Sequence, residues 1–498
     1  MIGFKKKKQF EIPFASGFGF KLFTREQLDL IHRGTLRILE KVGLRVESAE
    51  AVEIFQGNGA FVEKKNSFFI VKLPQHLVED CLSWAPKNVT YYGRDKKFDY
   101  AAESNRVGFT AFGQCVNVLD PFTGKLRPAG KADMAHSARL QDALGNIRTA
   151  ARTLSPSDQY PPAQALHSMD AIIRNTGKHI SGGAGNGQLL EMIIRLMEAA
   201  GGGPEKFLDR PFYSASFCPI SPLTLGREAC EVAIGAAKAG LGAVPMIMPL
   251  AGSTGPVTLA GTIALGIAEQ LSGLTLVQLV RKGTPVTMGS ATTIMDLKTG
   301  TAAMGAPESG MINAGLVQMS RYYQLPSRVA CGVSDSKLPD AQVGYEYATN
   351  ALVAAMAGAT LIFGGGALES GLTYSPAKLV MDHECMGNIL KIVEGIRVDD
   401  ENLALDVIAE VGPGRDFLLH EHTFEGMRRQ STTEIFDRRS KEAWIETTGG
   451  MTTAEVATEK AMEIINNYQP LPLPPGAEKT MDEMVGEFEA KLRADYNN

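Results

Sequence analysis

Residues 328–371 read RVACGVSDSKLPDAQVGYEYATNALVAAMAGATLIFGGGALESG, and the succession of textures along them sets the fold. A short β-prone run, Arg328 to Cys331, gives way to a turn bearing Asp335, Ser336 and Lys337. Small and apolar residues then predict a helix over Ala341 to Met356. A second apolar run, Thr360 to Phe363, ends on Gly364, Gly365 and Gly366. Strand, polar loop, helix, strand, polar loop is one βα unit running into the next. In parallel βα folds the chemistry sits in loops at the carboxyl ends of strands, and the polar residues here fall in those loops.

Toward the amino terminus the same texture repeats. Gly108 to Val118 precedes a helix over Met134 to Leu144, and Ile147 to Leu154 precedes one over Ala163 to Asn175. His179 to Ser181 leads to Leu189–Ala199, Phe212 to Phe217 to Arg227–Ala239, and Val244 to Met248 to a long helix from Val257. Pro285 to Met288 leads, after a longer loop, to a helix over Glu308 to Tyr323, and the final helix covers Ala377 to Glu394. Eight such units, spaced by roughly 30 to 40 residues, predict an α/β fold of the (β/α)₈ TIM barrel kind over residues 106–400. A doubly wound open sheet is the alternative architecture; eight units favour closure.

The flanks differ. Residues 1–105 predict an α+β cap. In it Thr24 to Gln27 forms a capping box that opens a helix through Val42, and β-prone pieces (Phe68 to Val71, Val89 to Tyr92) surround a helix started by Pro74. Residues 401–498 predict a helical extension: Met451 to Asn466 capped by Thr453, an extended Pro470 to Pro475 strap, and an amphipathic helix over Glu478 to Ala494.

Composition narrows the function. With 44% hydrophobic and 21% charged residues the 498-residue chain is an ordinary globular sequence. Its net charge of -5 and lack of a basic stripe argue against nucleic acid as the main partner, leaving Lys5 to Lys8 as a solvated tail. Six cysteines without a CxxC pair suggest neither a disulfide framework nor a zinc knuckle. No apolar h-region follows Met1, and Glu269 and Gln270 make Val257 to Val280 a buried helix rather than a membrane span. The expected location is the cytoplasm.

The strand-end loops are neutral. Gln114, Ser155, Ser157, Ser253, Thr254, Ser290 and Thr292 supply donors and acceptors, with no Ser/His/Asp set and no tight carboxylate pair. No GxxxxGK[ST] occurs, Gly182 to Gly187 does not match GxGxxG, and His420 and His422 stand two apart, a spacing that suits no shared metal on a helix face. The loop glycines either build tight turns or let a flat partner approach closely. Phe109, Phe112, Tyr160, Phe212, Tyr213, Phe217, Phe363 and Tyr374 are either barrel core or walls for a permanently cationic ligand, held at about 0.5 to 2 kcal/mol per ring. His383 is either a hydrogen-bonded helix residue or a substrate contact.

Gly332-Val-Ser-Asp-Ser-Lys-Leu-Pro-Asp-Ala-Gln-Val-Gly-Tyr-Glu346, the Gly364 to Gly366 strand end, Met381-Asp-His-Glu384 and Trp444 to Gly450 resemble the trimethylamine methyltransferase family over nearly the whole chain. The resemblance implies a (β/α)₈ barrel that passes a methyl group from an amine to Co(I) of a corrinoid (cobalamin-type) cofactor carried by a separate small protein. The same resemblance implies that the trimethylamine enzymes of that family carry pyrrolysine in the barrel near Gly332 to Ser336, where this chain has standard residues only. The chain therefore resembles the non-pyrrolysine branch, whose members demethylate quaternary amines such as glycine betaine, proline betaine or carnitine.

On that resemblance Asp335, Ser336 and Lys337 would be the catalytic loop, braced by Asp340, Gln342 and Glu346. Phe217, Phe363, Tyr374, His383, Gln114 and Tyr213 would line the substrate pocket. Gly183, Gly185, Ser253, Ser290, Gly332 and Gly365 would face the corrinoid, with no metal held by the chain itself. A homo-oligomer is expected, since the small-residue helix Ala341 to Met356 suits a position in or between barrels. Two other readings stand: a Schiff-base lyase or aldolase using Lys337, and a non-catalytic sensor of betaine or corrinoid. Asp335 and Asp340 beside Lys337 would hold the amine charged, which disfavours the lyase.

Overall fold

The computed structural model describes residues 19–103 and 106–496; the basic run Lys5 to Lys8 lies outside the described residues. Eight parallel strands close into a barrel: β1 (Gly108–Ala111), β2 (Ile147–Ala151), β3 (His179–Gly183), β4 (Tyr213–Phe217), β5 (Gly242–Ile247), β6 (Met288–Ser290), β7 (Ser327–Ala330) and β8 (Leu361–Gly365). Each is followed by its helix: α1 (Lys131–Ala143), α2 (Gln164–Asn175), α3 (Gly187–Gly201), α4 (Arg227–Lys238), α5 (Leu259–Val280), α6 (Pro307–Tyr322), α7 (Ala341–Met356) and α8 (Pro376–Glu394). Strands are laid down in chain order, and β8 pairs with β1 to shut the sheet, so the open-sheet alternative is excluded. The strands are buried on both faces, which is why they read as short apolar runs without alternation.

Several expected boundaries move, among them the first strand, which ends at Ala111 rather than running to Val118. The sixth strand covers Met288–Ser290 rather than Pro285 to Met288, since Pro285 has no N–H to offer the ladder. Gly364 and Gly365 belong to β8 itself rather than to a loop. The helix over Thr453–Asn467 is capped by Thr452, whose Oγ1 accepts from Glu455 N at 3.3 Å, so Thr453 is its first helical residue. The long loops after β1 and β6 hold hairpins, Asn117–Leu119 with Leu126–Pro128 and Thr293–Asp296 with Thr301–Ala303.

The amino-terminal segment closes the barrel's lower end. Val89, Tyr91, Tyr100 and Ala102, from a two-stranded hairpin, pack with Leu361 into a separate buried cluster. Tyr91 hydrogen-bonds Thr287, and Tyr100 donates to Thr360 O at 3.0 Å. His179 lies in this floor between Tyr92 O (3.0 Å) and Ser214 Oγ (2.8 Å), and burial drops it to about 3, so it is neutral. The helix Arg25–Arg37, with its Thr24 capping box formed as expected, packs on α5. The helix α5 is the one described element long and apolar enough to cross a membrane, and most of it is buried within the protein.

At the carboxyl end, the helix Thr453–Asn467 packs on α8 and α1, and Ala477–Tyr496 packs on α2 and α3. Between them the proline strap is held by Arg94, which donates to Leu471 O at 2.6 Å and Pro472 O at 3.2 Å. His167 with Glu489 (2.7 Å) and Arg174 with Asp482 (2.8 Å) tie the terminal helix to α2.

Candidate active site

With the lower end plugged, the accessible end of the barrel is the mouth formed by the βα loops. Arg328, on β7, crosses the interior to donate to Ser181 Oγ on β3 at 2.5 Å, and its guanidinium lies 5.0 Å from the ring centroid of Phe363 on β8. Phe363 stacks on Phe112, just beyond β1, with centroids 6.0 Å apart and planes 20° off parallel. Arg152 follows directly on β2 and is 9% exposed. Cys218 follows directly on β4 and is exposed. Arg152 and Arg328 meet β3 at adjacent residues: a Cβ on Gly182 would lie 3.3 Å from Arg152 Cβ, and Ser181 is the residue to which Arg328 donates. Partial enclosure lifts the Cys218 thiol, and the charges of both arginines act on it in the opposite sense. Phe112, Phe363, Cys218 and the two arginines thus share one recess.

The loop after β7 is a bracket joining three loops. The Asp335 carboxylate accepts from Met304 N (2.9 Å) and Gly305 N (3.0 Å) of the β6–α6 loop and from Ser370 Oγ (2.7 Å) of the β8–α8 loop. Burial pushes this carboxyl above its ordinary value against those donors. Glu346, on α7, accepts from Ser334 Oγ (2.6 Å), Asp335 N (2.8 Å) and Gln342 Nε2 (2.7 Å). Ser336 Oγ lies 2.9 Å from Asp340 Oδ1, and the Asp340 carboxylate caps α7 through Gln342 N and Val343 N. Exposed Lys337 turns its Nζ to Asp335 O at 2.7 Å. Below them, buried Lys378 joins Asp382 (2.7 Å) to Gly332 O (3.0 Å). Gly332 must be glycine: a Cβ there would lie 2.9 Å from Tyr347 Cε2 and 3.2 Å from the Gly364 carbonyl carbon.

The structure brings some of the expected site residues together and separates others. Phe363 lies in the recess and Gln114 on the open rim. The ring of Phe217 lies against Gly273 of α5, and Tyr213 is fully buried with its hydroxyl donating to Gly182 O at 2.9 Å. Tyr374 is fully buried, and its hydroxyl has no hydrogen-bond partner among the described residues. His383 sits on α8, its carbonyl accepting from Asn146 Nδ2 at 3.0 Å just ahead of the start of β2, and so is not brought to the mouth. Gly185 and Ser253 are exposed and Gly183 partly so, whereas Ser290, Gly332 and Gly365 are buried; Ser290 Oγ is 2.8 Å from Asn313 Oδ1, and a Cβ on Gly365 would lie 2.9 Å from Leu379 Cδ1. The two arginines are not among the expected residues. Arg328 has a signal, a lone guanidinium inside the short strand Ser-Arg328-Val-Ala, whereas Arg152 follows a strand that already carries Arg148 and has none.

The chain is a closed (β/α)₈ barrel with a floor plugged by its own amino-terminal hairpin and, at the carboxyl face of its strands, an accessible mouth of neutral loops braced by one acidic bracket. The family model for trimethylamine methyltransferase (MTTB) matches residues 6–492, and the chain belongs to that family. It is 41% identical over 473 residues to trimethylamine methyltransferase MttB of Desulfitobacterium hafniense (strain DSM 10664 / DCB-2), covering 95% of each chain. It is 29% identical over 478 residues to the glycine betaine methyltransferase of Desulfitobacterium hafniense (strain Y51), covering 95% of this chain and 96% of that one. Among solved structures, the monomethylamine methyltransferase MtmB of Methanosarcina barkeri shares the fold, with a TM-score of 0.53 at 11% identity over 93% of this chain and 91% of that one. The chain is thus a member of a methyltransferase family, and its own sequence consists of standard residues only.

Proposed function

We propose that this protein demethylates a quaternary amine in the cytoplasm and delivers the methyl group to the corrinoid of a separate partner protein. The observation that carries the reading is the standard Gly-Val-Ser-Asp-Ser sequence from Gly332 to Ser336 within a family whose trimethylamine enzymes use pyrrolysine there. The likeness to a glycine betaine methyltransferase supports it. When bound, the corrinoid supplies a Co(I) nucleophile that takes the methyl group. Small, neutral and exposed positions at the mouth, Gly113, Gln114, Gly185, Cys218 and Ser253, fit the close approach of such a flat group.

The chain's own task is positional. A quaternary nitrogen leaves as a neutral tertiary amine, so no general acid is required; the protein must orient the N–CH₃ bond and stabilise the cation without covering the methyl. Phe112 and Phe363 offer aromatic surface for that, with Tyr213, Phe217 and Tyr374 packed behind the barrel wall. Asp335, Ser336 and Lys337 serve by fixing the loop that carries them, since Asp335 ties that loop to two of its neighbours. The 41% identical relative is named for trimethylamine, so trimethylamine is the competing substrate.

The test is anaerobic incubation with cob(I)alamin, with and without the cognate corrinoid protein, against glycine betaine, proline betaine, carnitine, choline and trimethylamine. Methylcobalamin formation from a quaternary amine and none from trimethylamine is the expected result. Methyl transfer from trimethylamine alone, or from no amine at all, overturns the reading.

A further inference from the structure

We infer that the barrel interior holds an anion-binding subsite, formed by Arg152 and Arg328 over Cys218, that seats the carboxylate of a zwitterionic substrate. The assignment rests on the quaternary-amine reading for its substrate class and on the geometry for everything else. Arg328 is 5% exposed and Arg152 9%, yet neither has a carboxylate partner among the described residues. Arg328 makes one hydrogen bond, to neutral Ser181 Oγ, and its Nε is shut off from solvent without a partner. Arg152 makes no hydrogen bond or ion pair among the described residues. The groups acting electrostatically on the pair are Tyr91, Tyr213 and Cys218, none of them an acid that is ionised near neutral pH.

Other buried charged or ionisable groups in this chain are paired or multiply hydrogen-bonded. Lys378 has Asp382 at 2.7 Å, Lys178 Nζ donates to Gln141 O and Leu144 O, and the Glu269 carboxyl accepts from Ser221 Oγ and Leu223 N. Two guanidinium groups that make one hydrogen bond in all, and have no acid, among the described residues stand apart from these. A buried cation without a counter-ion is strongly unfavourable unless a ligand supplies one. Burial drags both arginines down to about 10, which leaves them charged at neutral pH.

The recess opens to solvent at Cys218 and presents Phe112 and Phe363 beside Arg328, so one cavity offers a planar donor fork and an aromatic wall. A guanidinium fork matches a carboxylate, and a ring matches a quaternary ammonium. The two together fit a small betaine, and they discriminate against choline, tetramethylammonium and trimethylamine, which lack the acid.

The experiment reads the subsite without requiring catalysis. Cys218 of the full-length protein is alkylated with iodoacetate or with iodoacetamide, and the modified peptide is quantified by mass spectrometry with Cys385 as the internal reference. The expected result is an iodoacetate-to-iodoacetamide rate ratio at Cys218 about tenfold above that at Cys385. Acetate and glycine betaine should protect Cys218, and tetramethylammonium should not. Arg152→Gln should cut the ratio severalfold and Arg152→Lys should keep it, with thermal melting confirming that both variants fold. In parallel, calorimetry should show glycine betaine binding at least about tenfold tighter than choline.

Equal ratios at the two cysteines, or protection by tetramethylammonium as strong as by acetate, overturns the subsite. Methyl transfer from choline as efficient as from betaine, with no anion preference at Cys218, overturns the subsite and leaves the methyltransferase reading standing. Anion preference and carboxylate protection with no methyl transfer from any quaternary amine overturns that reading and leaves the subsite standing.

Discussion

Replacing Asp335 by asparagine tests whether the loop after β7 works as a bracket. Asp335 Oδ1 accepts from Met304 N at 2.9 Å and Ser370 Oγ at 2.7 Å, and Oδ2 accepts from Gly305 N at 3.0 Å. An asparagine keeps one oxygen. Placed at Oδ1 it retains two of these bonds and turns an NH₂ toward the Gly305 N–H; placed at Oδ2 it retains one. The better arrangement therefore loses one charge-assisted bond, about 1.5 to 3 kcal/mol, and leaves a buried amide unpaired. Burial opposes the ionised carboxyl in the wild type, so part of that loss is returned. The net expected cost is about 2 kcal/mol, and about 4 kcal/mol for Asp335→Ala, which removes all three bonds.

Because a chain of this length does not unfold in one step, the cost is read locally, by hydrogen exchange. Amides around Met304 and Gly305 should speed up by roughly thirtyfold in Asp335→Asn, as a 2 kcal/mol loss requires, and those from Glu369 to Leu372 should join them in Asp335→Ala, which also removes the Ser370 bond. A double cycle with Ser370→Ala should show coupling of about 1 kcal/mol. Faster exchange confined to residues 332–340, with the two neighbouring loops unchanged, would refute the bracket.

Burial lifts the Glu269 carboxyl to about 7 despite its bonds from Ser221 Oγ (2.8 Å) and Leu223 N (3.0 Å). A raised folded-state value makes its contribution to stability complete at acidic pH and lost as pH rises through 7, a swing of about 3 kcal/mol; melting curves from pH 5 to 8 should flatten in Glu269→Gln, and an unchanged slope would count against this assignment. Lys378→Met strands the Asp382 carboxylate in a site 2% exposed and should cost about 3 to 5 kcal/mol, while the double replacement Lys378→Met with Asp382→Leu should recover most of it in thermal denaturation. Phe112→Ala removes the partner stacked on Phe363 at 6.0 Å and, on the proposed function, should raise KM for the quaternary amine about 2- to 30-fold with a smaller change in kcat.

The eight units were legible because each strand is buried on both faces and each helix begins within a few residues of a polar loop; α7 and α4 start where their sequences say they should. The hairpins at the mouth were not, since Asn117–Leu119 and Thr293–Asp296 are too short to show a period against neighbouring loop sequence. The second of them had a cue in its turn, where Asp296 Oδ1 accepts from Lys298 N at 2.9 Å and Gly300 takes a φ of 72°. The site was legible only in outline. The Ser334 to Lys337 loop announces itself by its polarity, yet its side chains spend their bonds on one another and on neighbouring loops. Arg152 and Arg328 sit within strand sequence, and only the three-dimensional absence of nearby acids separates them from surface arginines. Phe217 and Phe363 are both strand-end phenylalanines in sequence; β-strand parity turns one toward α5 and the other toward the lumen.

The helix Thr453–Asn467 rests at once on α8 and on α1, the helices that flank the junction of β8 with β1. That junction joins the most widely separated barrel strands in sequence, from Gly108 to Leu361, and its register slips between Phe363 and Gly365. It is therefore the joint where closure of the hoop costs the most chain entropy. Ala457, Ala461, Ile464 and Ile465, all buried, act there as a rivet driven from outside. Thinning the rivet with polar substitutions would let the hoop spring open along one line, leaving the other seven strand pairings intact, so that resistance to unfolding resides in a helix that never touches the barrel's interior.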